Sequence, residues 1–63
     1  MNNLKAVREE SGLTRRVVSY LTSIPTRTLA RYESGETLPD IYTAYRLSRC
    51  FRKPFQEVFP DES

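Results

Sequence analysis

Four arginines, Arg15, Arg16, Arg27 and Arg31, lie between Leu13 and Tyr32 in a stretch that holds no Asp or Glu. A guanidinium is a permanent cation whose N–H donors sit in a rigid fork, suited to phosphate oxygens and to the paired acceptors of a base edge. In Ser23-Ile24-Pro25-Thr26-Arg27-Thr28-Leu29-Ala30-Arg31-Tyr32-Glu33-Ser34-Gly35 the second pair is spaced to share one side of a helix. From Glu33 onward the balance reverses: Glu33, Glu36, Asp40, Glu57, Asp61 and Glu62 outnumber Arg46, Arg49, Arg52 and Lys53. The net charge of +2 therefore hides a confined basic face, the electrostatic footprint of a chain that meets phosphates along one side.

Other chemistry has little to work with. The chain has no His and a single Cys, and its acids read as helix caps, tail residues or ion-pair partners. No nucleophile with its base and no metal site can be assembled from them, and no glycine-rich phosphate loop is present. An enzyme, a cofactor and a small-molecule substrate are accordingly not expected. With 63 residues and 38% hydrophobic content, there is room for one small domain, expected over residues 1–60, with a polar tail at 61–63. Cys50 has no partner and reads as a small core residue in a reducing compartment. No apolar run approaches the roughly 18 residues of a membrane span, and MNNLKAVREE lacks a signal-peptide core. The chain reads as mature, soluble and cytoplasmic.

The arginines need elements to hold them. Leu4 and Val7, behind Asn2 or Asn3 as a cap, predict a helix over 3–11 that Gly12 stops in a left-handed turn. Thr14 is the next cap, and Val17, Val18 and Leu21 predict a second helix over about 15–21. Ser23-Ile24-Pro25 interrupts the chain, because proline suits a helix start and displaces its predecessor from helical geometry. A third helix over about 25–34 carries Leu29 and Tyr32 inward, and Gly35 ends it. Asp40 caps a fourth helix of about eleven residues with Ile41, Ala44, Leu47, Ser48 and Phe51 on one face. Lys53-Pro54 breaks the chain before a short final helix holding Phe55, Val58 and Phe59. No segment alternates as a strand would, so the fold class is all-α, with five short helices.

The second and third helices, joined by a turn of about three residues, have the dimensions of a helix-turn-helix. "LKAVREESGLT", "TLARYESG" and "LPDIYTAYRLSRCFRKPFQEVF" together make the chain resemble the phage-repressor and Cro family (XRE type) from about Leu4 to Phe59. Tyr32-Glu33-Ser34-Gly35, behind Leu29, carries the most specific part of that likeness. The resemblance implies a compact five-helix lambda-repressor-like domain that binds duplex DNA as a transcription regulator, with its third helix in the major groove. It implies base contacts from Thr26, Arg27 and Arg31, backbone contacts from Arg15 with Arg16, Thr14 and Thr28 beside it, and an internal ion pair between Arg8 and Glu33. It also implies a symmetric dimer on a two-fold operator, to which Phe55, Val58, Phe59 and Pro60 are assigned, the alternative being that these residues close the monomer's core. With nothing beyond residue 63 to sense a ligand, control is expected to come from concentration, operator competition or a second regulatory protein. When bound to DNA the protein would be nucleoid-associated.

Independently of the resemblance, Arg15, Arg16 and Arg27 occupy first helical turns, where a cation opposes the helix dipole at about 0.3–1 kcal/mol each. An anion bound there would reverse the sign. Three positions depart from the family: Pro25 stands where a capping Ser or Thr is common, Ser23 replaces a turn glycine, and Glu36-Thr37-Leu38-Pro39-Asp40 is acidic where Lys or Arg is usual. In the family register Val18 and Thr22 face inward, leaving Val17, Tyr20 and Leu21 as an exposed patch for a protein partner. The simpler expectation is a slight rotation of the second helix that buries Val17 and Leu21. The competing function is an antirepressor-like interaction module that docks another regulator through that patch.

Overall fold

The computed structural model describes residues 2–60 as five helices in order: α1 (Leu4–Glu10), α2 (Arg15–Thr22), α3 (Thr26–Ser34), α4 (Ile41–Phe51) and α5 (Phe55–Val58). No strand occurs among the described residues. Met1 and the expected polar tail, Asp61-Glu62-Ser63, lie outside them.

Local chemistry sets most of the boundaries. Asn2 Oδ1 accepts from the Leu4 N–H at 3.0 Å, so Asn2 serves the start of α1, while the Asn3 amide donates to the Glu57 carbonyl at 3.0 Å. Thr14 Oγ1 accepts from the Val17 N–H at 3.1 Å and caps α2. Thr14→Ala is expected to lower unfolding free energy by about 1 kcal/mol in urea titrations, the usual cost of losing such a cap; an unchanged midpoint would contradict that role. The turn after α2 passes through Ser23 at φ 62°, a left-handed conformation that a glycine would adopt with less strain. Pro25 precedes α3 without a side-chain cap, and Gly35 ends that helix at φ 82°. Its neighbour Glu36 then donates its N–H to the Arg31 carbonyl at 3.0 Å. Asp40 Oδ1 accepts from the Thr43 N–H at 2.7 Å at the start of α4, and that bond holds its carboxyl below the usual range.

The core gathers Leu4 and Val7 of α1, Val18 of α2, Ile24 of the turn, Leu29 of α3, Ala44, Leu47 and Phe51 of α4, and Val58 with Phe59 at the end. Tyr32, Leu13, Cys50 and Phe55 pack partly buried against it. A fully buried Leu, Val or Phe side chain contributes about 1.5–3 kcal/mol. In a chain this small, every helix must therefore supply one or more of them.

Three expectations are corrected. Rotation of α2 does not occur: Val17, Tyr20 and Leu21 are 41%, 86% and 56% exposed, and Thr22 is buried. The Thr22 hydroxyl donates to the Val18 carbonyl at 2.7 Å and accepts from the Ile24 N–H at 3.3 Å. Both capacities of the hydroxyl are used, so burying it carries no desolvation penalty large enough to turn the helix. Val58 and Phe59 present no surface to a dimer partner, being completely buried in the single chain. The Asn3 N–H donates to the Val58 carbonyl at 2.8 Å, drawing the end of α5 onto the start of α1 and closing the core there. Ile41, placed on the inner face of α4, is 58% exposed, because the buried stripe begins one turn later at Ala44.

Candidate nucleic-acid interface

The α2–turn–α3 unit is held from behind by a buried carboxylate. Glu33, in the last turn of α3, accepts from Arg8 Nε at 2.6 Å through Oε2 and from an Arg8 terminal nitrogen at 3.3 Å through Oε1. The side chains are only 11% and 3% exposed for Arg8 and Glu33. Arg8 also donates to the Leu13 carbonyl at 3.0 Å, which secures the segment leading into α2. Arg15 Nε reaches the same carboxylate at 3.0 Å, so one acid ties α1, α2 and α3 together. Burial alone would push the Glu33 carboxyl up, but hydrogen bonds and charge from Arg8 and Arg15 outweigh it and hold the group below its usual range. The Arg8 guanidinium is raised in turn, mainly by its bond to Glu33 and against the opposing effect of burial.

The role of Arg15 changes accordingly. A cation in the first turn of α2 pointed to an external anion, yet the anion beside Arg15 belongs to the chain itself. Sequence reasoning missed this contact because Glu33 is eighteen residues away in sequence and already had Arg8 as its expected partner. Arg16, next to it on α2, is exposed and carries no hydrogen bond or ion pair among the described residues.

On α3 the buried side is Leu29, with Tyr32 half-buried beside it. Thr26, Arg27 and Arg31 are exposed, Thr28 and Ala30 half-buried. Arg27 has no ion-pair partner among the described residues, and Thr26 stands next to it at the start of the helix. Arg31 Nε lies 3.4 Å from Glu36 of the acidic loop, with both side chains open to water. An exposed pair of this kind is worth about 0–1 kcal/mol, so Glu36 competes only weakly with a phosphate or a base for Arg31.

The exposed side of α3 therefore presents two guanidiniums and a hydroxyl, flanked by the basic start of α2. A helix of these dimensions fits the roughly 12 Å major groove of duplex DNA, where arginine can pair with guanine O6 and N7. Among the described residues no group of His, Cys, Asp or Glu is arranged to hold a metal ion, and no helix is long and apolar enough to cross a membrane. A family model described as helix-turn-helix matches residues 4–58. No curated protein matches the chain.

Proposed function

Since the chain belongs to the Cro/XRE-type helix-turn-helix family and is a DNA-binding transcription regulator of that type, we propose that α3 reads a specific operator through Thr26, Arg27 and Arg31. The observation that carries this reading is Arg27, exposed and without an ion-pair partner among the described residues, on a helix whose inner side is locked to the core by Leu29 and Glu33. Thr14, Arg15, Arg16 and Thr28 meet the phosphate backbone on either side. Arg15 does so with Nε committed to Glu33, which fixes the direction in which its remaining N–H groups point.

The protein acts as a homodimer on a two-fold symmetric site, with half-sites about one helical turn, or about 34 Å, apart. With Val58 and Phe59 buried, self-association is assigned to Phe55 and the exposed Tyr45 stacked on it at 4.6 Å. Regulation by a cytoplasmic repressor of Cro type, resident on the nucleoid when bound, fits this arrangement. The exposed Val17, Tyr20 and Leu21 favour a second role, contact with another regulatory protein.

Salt titration of duplex binding tests the phosphate contacts. Each phosphate neutralised adds about −0.9 to the slope of log K against log salt, so Arg16→Ala is expected to make the slope shallower by about 1. A slope identical to that of the wild type would remove Arg16 from the interface.

A further inference from the structure

Between α2 and α4 runs a groove of about 500 Å³ lined by Leu21, Thr22, Tyr42, Arg46, Arg49 and Cys50. It lies on the seam of α2 with α4, whereas the reading helix occupies the seam of α2 with α3. Its walls combine apolar surface with fixed cations. Leu21 is 56% and Tyr42 69% exposed, an unusual degree for such side chains when several cluster on a small domain. Arg46 donates to the Thr22 carbonyl at the end of α2 and lies 6.0 Å from the Tyr42 ring centroid, so its guanidinium is held in place at the groove wall. Its other N–H groups and the whole of the Arg49 head have no partner among the described residues. Neither α2 nor α4 carries an acid.

Tyr and Arg are the residue types enriched where proteins bind one another, and Glu, Asp and Lys are depleted there. A groove between two helices, with no sheet edge nearby, accepts a helix laid along it through apolar anchors one turn apart. The charge selects the occupant. A second copy docked in a symmetric fashion would set Arg46 and Arg49 against themselves, whereas an acidic segment would place carboxylates on both. We infer that the α2–α4 groove is the docking site for an acidic amphipathic helix of a partner protein, with Leu21 and Tyr42 receiving its apolar face and Arg46 and Arg49 its carboxylates. This rests on the second role given to α2 above and names the chemistry of the partner.

A display library of random 16-residue peptides, selected against the intact 63-residue protein, provides the probe. Enriched peptides are expected to combine apolar residues at helical spacing with an excess of Asp and Glu. Their binding should shift the amide resonances of Leu21 and Arg49 and weaken at least about tenfold in Leu21→Ser or Arg49→Glu. Both substitutions lie on exposed side chains, so duplex binding and the melting temperature should stay at the wild-type values. Enrichment of peptides that lack acids, or that bind the two variants as well as the wild type, would overturn the groove while leaving a protein-contact role for α2 intact. Recovery of no peptide at all would overturn both. Displacement of the peptide by duplex DNA from Leu21 and Arg49 would assign the groove to the nucleic acid instead, and sedimentation showing that Arg49→Glu abolishes a dimer would assign it to a second copy.

Discussion

Glu33→Ala is expected to remove most of the stability of this domain. The carboxylate is almost fully buried and accepts from Arg8 on α1 and Arg15 on α2. Removing it leaves the Arg8 guanidinium, itself buried, with the Leu13 carbonyl as its one hydrogen-bond acceptor among the described residues. Breaking a buried pair from one side costs about 3–5 kcal/mol, because the remaining charge has lost its compensation. A domain of this length has a total stability of about 3–9 kcal/mol, so the variant should be partly unfolded at ordinary temperature. Arg8→Ala should cost less, since Arg15 still faces the carboxylate, and Arg15→Ala less again, about 0–1 kcal/mol for a half-exposed partner. Urea titrations of the three variants give the order directly. Losses under 1 kcal/mol for both Glu33→Ala and Arg8→Ala would mean that the cluster does not hold the unit together.

The same cluster fixes an acid sensitivity. The Glu33 carboxyl lies lower in the folded chain than in the unfolded one, so the unfolded state binds the proton first. Its stabilising contribution is complete above the unfolded carboxylate value of about 4.3 and disappears as pH falls through the folded value. Glu33→Gln should thus be less stable than the wild type at neutral pH, and the gap should narrow as the solution is acidified below the carboxylate range. A gap that is constant with pH would separate the loss from the charge.

Arg27→Ala is the second large effect, and it concerns reading rather than folding. The side chain is exposed and makes no hydrogen bond or ion pair among the described residues, so its removal should leave the melting temperature unchanged. A bidentate pair from arginine to guanine contributes about 1–3 kcal/mol of discrimination, equivalent to roughly 5- to 150-fold in relative affinity between the right and the wrong base pair. Binding to the operator should fall by that factor, while binding to unrelated duplex changes little. A uniform loss on every sequence, together with a shallower salt slope, would instead make Arg27 a phosphate contact.

How much of this was legible depends on whether the deciding interaction is local. Gly12, Pro25, Gly35, Asp40 and Pro54 punctuate the chain by their own local chemistry, and the helix bounds follow them to within a residue or so. Which side of α2 turns inward was harder. Hydropathy favours burying Leu21 over Thr22, and the choice is reversed by two hydrogen bonds of one hydroxyl, one back to the Val18 carbonyl within the helix and one from the Ile24 N–H that the closed turn brings to it. Val58 and Phe59 posed the same difficulty at the other end, since an apolar terminus serves a partner or a core equally well until Asn3 is seen to grip the Val58 carbonyl. The likeness of Tyr32-Glu33-Ser34-Gly35 to its family named Arg8 as the partner of Glu33. It gave no hint of Arg15, whose place at the start of α2 looked outward because a helix dipole disfavours a cation and says nothing of which anion relieves it.

Those corrections leave Thr26, Arg27 and Arg31 exposed on α3, and none of the three lines the groove between α2 and α4. Selection of bound sequences from a pool of random duplexes, performed with the wild-type protein at two salt concentrations, tests the central claim most directly. An enriched motif with two-fold symmetry is predicted, fading as salt rises and losing its preference at one base pair per half-site when Arg27 is replaced by alanine. Recovery of no enriched, salt-sensitive motif would contradict the assignment of α3 as a reader of DNA sequence.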